Sequence, residues 1–129
     1  MKVILNKAIG GWGYSVPDEI YYEYAKKCGI TIYKVDHLYD EVFATVPPKE
    51  YSQLLKQSDL MELENREALY ELLFIITEED RFDPDLISIV ENFDPEKTSL
   101  RVFEIPDDIK YYISRYDGLE TLHEEHRRW

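Results

Sequence analysis

The chain has little cysteine, little glycine, few basic residues and no long apolar run, and each shortage closes off a class of protein. A single cysteine, Cys28, in 129 residues excludes an internal disulfide and any metal site that needs several thiolates from one chain; Cys28 itself reads as a core residue at a helix end. Five glycines and six prolines leave no linker or low-complexity segment, so a globular chain is expected rather than a disordered one. The longest apolar run, Leu72-Leu73-Phe74-Ile75-Ile76, falls far short of the roughly 20 residues of a membrane-spanning helix. No signal-peptide pattern follows Met1, so a cytoplasmic location is expected. Fifteen bases stand against 27 acids, a net charge of −12. Such a surface repels nucleic acid and anionic membrane, and neither is an expected direct partner.

What remains suits one domain over residues 1–129, long enough for one hydrophobic core. Three of the five glycines fall within Gly10-Gly11-Trp12-Gly13, after the apolar run Val3-Ile4-Leu5 and before a helix start. Glycine is used where the backbone takes φ > 0 or lets another group approach closely. Residues 2–6 read as a strand with both faces apolar. Ser15-Val16-Pro17-Asp18 reads as a helix start, with Ser15 as cap. Val16, Ile20, Tyr24 and Cys28 then form one face, and Gly29 closes the helix.

Residues 30–35 alternate and read as a strand. Residues 36–46 are ambiguous, with a possible strand at 42–46 before Pro47-Pro48 opens a short helix ending near Ser58. From Asp59 to Tyr70 a helix and a hairpin compete. Residues 72–77 read as a buried strand. Asp83-Pro84-Asp85 opens a helix with Leu86, Ile87, Val90 and Phe93 inward. Residues 100–105 and 109–116 read as strands, Asp117-Gly118 as a hairpin turn, and residues 119–126 as strand or helix. The order gives an α+β domain, a largely antiparallel sheet with two or three short helices.

Three blocks of sequence carry a resemblance. Val3-Ile4-Leu5-Asn6-Lys7 with Gly10-Gly11-Trp12-Gly13 and Ser15 resembles the opening of a family of small proteins from tailed phages and prophages. Asp83-Pro84-Asp85-Leu86-Ile87 resembles its middle, and Ile105-Pro106-Asp107-Asp108-Ile109 with Tyr116-Asp117-Gly118, Glu120, Glu124 and His126-Arg127-Arg128-Trp129 resembles its ending. The family more often has cysteine where Ala8 stands and threonine where Arg128 stands. The resemblance implies a phage-encoded protein of the bacterial cytoplasm, and no particular reaction.

Several groupings carry candidate chemistry. The glycine stretch is arranged like an anion site, its N–H groups and the helix start facing a phosphate or carboxylate; Lys7 adds charge and Asn6 and Ser15 hydrogen bonds, while the competing reading is a structural turn. His126-Arg127-Arg128-Trp129 is the most basic spot, with Arg suited to phosphate and Trp to a base; docking of Trp129 on the core competes. The candidate ligand set is therefore Asn6, Lys7, Gly10, Gly11, Trp12, Gly13, His126, Arg127 and Trp129. His123 and His126, with His37 and Asp36 or Asp40, suggest a metal only if the terminus is helical, and a solvated charged end is the simpler account. Asp107-Asp108 and Asp117 with Glu120 offer paired carboxylates, explained as well by turn capping. Eleven tyrosines suit packing, a pocket for a planar ligand or a subunit interface.

The leading expectation is a binding protein that sequesters a nucleotide-type ligand, as a sponge for a host immune signal, without a resident cofactor or metal, and homo-oligomeric. The alternatives are an acidic inhibitor that occupies a host protein, as a DNA mimic for instance, and a small metal-dependent hydrolase using Asp117, Glu120 and His126.

Overall fold

A computed structural model describes residues 1–7, 16–107, 110–116 and 119–124. The element order is β1 (Lys2–Asn6), α1 (Asp18–Lys27), β2 (Tyr33–His37), β3 (Asp40–Ala44), α2 (Pro48–Gln57), α3 (Leu63–Glu71), a 3₁₀ turn (Glu78–Phe82), α4 (Pro84–Asn92), β4 (Leu100–Glu104), β5 (Tyr111–Tyr116) and β6 (Leu119–Glu124). The class is α+β, and every ladder among the described residues is antiparallel. The strands form three separate pairs, β1–β4, β2–β3 and β5–β6, rather than one continuous sheet. Among the described residues there are four α-helices where two or three were expected, because residues 63–71 resolve as helix instead of hairpin. No helix among the described residues is long and apolar enough to cross a membrane. The chain divides into two compact units, residues 1–24 with 76–129, and residues 25–75.

In the first unit, β1 is buried on both faces, with Val3, Ile4 and Leu5 at most 1% exposed. Val3, Leu5 and Ile105 form a cluster against Tyr111, Ile113 and Leu122 of the β5–β6 ribbon, as the alternation of inward residues along strands requires. α4 and the 3₁₀ turn lie against β1, and α4 also against β4. α4 begins as expected: the Asp83 carboxylate accepts from the amides of Asp85 and Leu86 (2.9 and 3.2 Å), with Pro84 in the first turn. Leu86, Ile87, Ile89 and Val90 are its buried residues.

α1 begins at Asp18, later than the expected start, and the Pro17 carbonyl accepts its first bonds from Ile20 and Tyr21. Proline disfavours helical backbone in the residue before it, which accounts for Val16 standing outside the helix. The proposed cap, Ser15, lies outside the described residues. Gly29, at φ 73°, ends the helix as expected. Cys28 is exposed, not a core residue; the helix has turned its buried face elsewhere by its last turn, with Ile20, Tyr24 and Ala25 inward.

In the second unit, β2 and β3 form a hairpin in which His37 pairs with Asp40 across Leu38-Tyr39. The expected strand at 30–35 therefore begins later and runs further, to His37. Val35, Ala44, Tyr51 and Leu69 make the core, surrounded by Val42, Val46, Leu54, Leu55, Leu60 and Leu73. α2 starts at the prolines and ends before Ser58, as the sequence indicates.

The strand expected at 72–77 is not formed. α3 continues to Glu71, Leu72 and Leu73 close it by donating to the carbonyls of Leu69 and Tyr70 respectively, and Thr77 already caps the 3₁₀ turn. The few residues between make one bridge, Leu73 to Ala44, with Thr45 N–H on the Leu72 carbonyl (2.7 Å) and Phe74 N–H on that of Phe43 (2.8 Å). Nor is the run buried throughout: Ile76 is buried, Leu72, Leu73 and Phe74 are half-buried, and Ile75 is exposed.

Candidate functional site

The site follows from an unfilled strand edge. Met1 and Ile105 exchange main-chain bonds of 2.7 and 2.9 Å, and Lys7 N–H donates to Ser99 (2.9 Å). This phase points the main-chain groups of odd-numbered residues toward β4, so those of Ile4 and Asn6 point to the opposite edge. Buried and unmet, they would cost about 1–3 kcal/mol each. Side chains meet them instead of a strand. Arg81 Nη1 donates to the Ile4 carbonyl (3.4 Å), and the Asn6 amide donates to Glu120 Oε1 (2.9 Å).

Both side chains are fixed by local structure. Arg81 sits in the 3₁₀ turn, which Thr77 and Asp80 open with a reciprocal capping box, and its Nε donates to the Glu78 carbonyl (3.0 Å). Glu120 lies opposite Arg115 in the β5–β6 ribbon. Arg81 Nη2 and Arg115 Nη2 both donate to Glu120 Oε2, at 3.0 and 2.9 Å. Arg115 also pairs with Glu78. Glu120 is fully buried and Arg81 4% exposed, whereas the Arg115 side chain is 43% exposed. Burial works to raise the Glu120 pKa. The donors from Arg81, Asn6 and Arg115 outweigh it and hold the carboxyl below its ordinary value. The carboxylates of Glu120 and Glu78 in turn raise the pKa of Arg115.

Beside this cluster opens a cleft of about 490 Å³, within the size range of small-molecule sites. Glu78, Glu79, Arg81 and Arg115 supply its charged wall, and Phe82 with Tyr111 its apolar one. The Phe82 and Tyr111 rings lie 6.2 Å apart and are tilted by 52°, an arrangement that leaves ring surface available to a planar group.

Of the candidate residues read from the sequence, Asn6 and Lys7 are described and both are drawn into the same cluster. The Asn6 side-chain oxygen accepts from the Ser99 hydroxyl. Lys7 Nζ donates to the main-chain carbonyl of Glu120 (2.9 Å) and stands 5.6 Å from the Phe103 ring centre. Gly10, Gly11, Trp12, Gly13, His126, Arg127 and Trp129 lie outside the described residues, as do Asp108 and Asp117. Asp107 pairs with the amino group of Met1 (2.9 Å).

The metal reading needed a helical end, and residues 119–124 are strand. His123 stacks on Tyr112 (4.8 Å, 14°) and its Nε2 shares a hydrogen bond with Ser114 (2.7 Å), while His37 Nδ1 shares one with the buried Tyr51 hydroxyl (2.7 Å). Among the described residues no three His, Cys, Asp or Glu side chains are grouped to hold a metal ion. Glu120, a proposed acid–base group, is occupied by two arginines and an amide.

Sequence reasoning missed Glu78, Arg81 and Arg115. The Asp117-Gly118 turn signal contained Arg115: a two-residue turn there sets Tyr116 opposite Leu119 and Arg115 opposite Glu120, the register found. No local signal links Arg81 to Glu120 across 39 residues. Comparison with protein-family models, with curated proteins and with solved structures returns no match.

Proposed function

We propose that the protein is a cytosolic binding protein that sequesters a small nucleotide-type ligand in the cleft of its first unit, encoded by a tailed phage as the sequence resemblance implies. The supporting observation is the meeting of a half-exposed arginine and an aromatic pair in one cleft. A phosphate would take Arg115 from Glu78, exchanging one charged partner for another in a planar two-pronged geometry. Arg81, already committed to Glu120 and Ile4, holds the wall in place. A base would lie against Tyr111 or Phe82, and Trp12, Arg127 and Trp129 are the further contacts that the sequence offers. Sequestration needs no activated nucleophile.

Titration calorimetry with cyclic dinucleotides and ADP-ribose-like nucleotides tests the proposal. The expected result is saturable binding by one of these classes, weakened about tenfold or more by Arg115→Ala. Failure of every nucleotide to bind or to raise the melting temperature would sink it. Sedimentation of the free and loaded protein reports the expected homo-oligomer.

A further inference from the structure

The second unit exposes apolar side chains that its own core does not need. Leu38 is 62% exposed, Tyr39 99%, Met61 88%, Leu63 59% and Tyr70 62%. The cause in α3 is visible in its spacing. Leu69 faces the core, whereas Leu63, Arg66 and Tyr70 recur at three and four residues on the outward face. Two adjoining concavities, of about 280 and 420 Å³, share Arg66 and Tyr70. The first runs to Leu38 at the β2–β3 hairpin tip, and the second is edged by Glu67 and Glu71.

Leu38 is the one described non-glycine residue with positive φ, at 53°. Leucine there costs about 1 kcal/mol or more that glycine would not. A strained leucine kept at an exposed tip is explained by its side chain, which lines the concavity. Tyr, Met and Arg are also the types enriched at the centres of protein interfaces.

Charge decides the occupant. Glu62, Glu64, Glu67 and Glu71 are exposed along α3 and its first turn, around a single arginine, on a chain of net charge −12. A second copy would bring the same acids to the same rim, and an anionic lipid surface would be repelled. We infer that this face of the second unit docks a basic amphipathic helix of a partner protein, its apolar stripe lying along Leu38, Leu63 and Tyr70 and its Lys or Arg residues against Glu67 and Glu71. The inference concerns a different surface from the proposed ligand cleft and stands apart from it.

A labelled synthetic peptide of about 18 residues, five helical turns, with Leu on one face and Lys on the other, is the probe. Its scrambled form, identical in composition, is the control. Fluorescence anisotropy is expected to show the amphipathic peptide binding about tenfold or more tightly than the scrambled one. Leu63→Ser with Tyr70→Ala should remove that difference. Glu67→Lys with Glu71→Lys should weaken binding and flatten its dependence on salt. All four residues are exposed, and circular dichroism confirms that the variants fold. Equal binding of the two peptides, indifference to these substitutions, or a wild-type dimer that Tyr70→Ala dissociates would overturn the inference.

Discussion

The two units place charge and apolar surface in opposite ways. In the first, charge is inside: Asn6, Arg81 and Glu120, the buried polar and charged residues of the described chain, all belong to it. In the second, the buried cluster is Val35, Ala44, Tyr51 and Leu69, while leucine, tyrosine and methionine stand in solvent. The difference traces to strand edges. Among the described residues β1 has a strand partner on one edge only and is buried on both faces, so its other edge needs polar side chains. β2 and β3 close on each other through a hairpin, and part of the outer edge of β3 is met by the main chain of residues 72–74. A buried ion cluster is a demanding solution, since it fails when any member is lost; an apolar core degrades in smaller steps.

The largest expected effect is therefore in the first unit. Glu120→Ala leaves buried Arg81 with the more distant Glu78 carboxylate (3.8 Å) and takes Glu120 Oε1 from the Asn6 N–H, and should cost about 3–5 kcal/mol. Urea denaturation measures the loss, and hydrogen exchange should locate it in β1, β5 and β6. The double variant Arg81→Leu with Glu120→Leu should cost less than Glu120→Ala alone, because no buried charge remains. A larger cost for the double would mean that the side-chain bonds to β1, and not charge compensation, dominate.

The same carboxyl gives the first unit an acid limit. Its folded pKa is depressed, so its contribution is fully present above the unfolded value of about 4.3 and is lost as pH falls through the folded value. Stability measured from pH 7 downward should fall below about pH 4, with a shallower fall in the Arg81→Leu and Glu120→Leu double variant. Equal slopes would assign acid sensitivity to other carboxylates.

In the second unit the matching substitution is Leu69→Ala, which removes a side chain 5% exposed and should cost about 2–4 kcal/mol. Tyr51→Phe should cost about 1 kcal/mol, because it removes only the hydrogen bond to His37. Burial raises the Tyr51 pKa, so the hydroxyl stays protonated at neutral pH. A Tyr51→Phe effect as large as that of Leu69→Ala would show that this core, too, depends on a polar contact.

Legibility in the sequence followed local punctuation and cut across the two units. Elements with punctuation at their ends were readable: α4 behind Asp83-Pro84, α2 behind Pro47-Pro48, the end of α1 at Gly29, and β5 ahead of Asp117-Gly118, whereas residues 119–126 fit strand and helix equally. The β2–β3 hairpin was not, because its turn uses Leu38-Tyr39 where glycine or asparagine would announce it. The 3₁₀ turn had a quiet signal in Thr77 and Asp80, a capping pair three residues apart, overlooked beside the apolar run before it. At the site, Asn6 and Lys7 were singled out as ligand contacts and are found bonded to Ser99 and Glu120. Their partners Arg81 and Glu120 are set by tertiary register, which no local pattern encodes.

The smallest expected effect sharpens the comparison most, because it should improve stability. Leu38→Gly relieves a left-handed backbone at a site where the side chain is mostly in solvent. The unfolded chain gains freedom from glycine, which offsets part of the relief, and the net gain should be a few tenths to about 1 kcal/mol. Thermal denaturation at fixed pH measures it, and the amphipathic peptide measures what is given up. If the variant is more stable and binds the peptide less well, the hairpin tip holds its strain for contact. If it is more stable and binds equally, Leu38 lies outside the docking face, and the contact narrows to α3. A less stable variant would mean that the Leu38 side chain supports the hairpin against Leu60 and Leu69, and the apolar exterior of the second unit would then be partly an extension of its core.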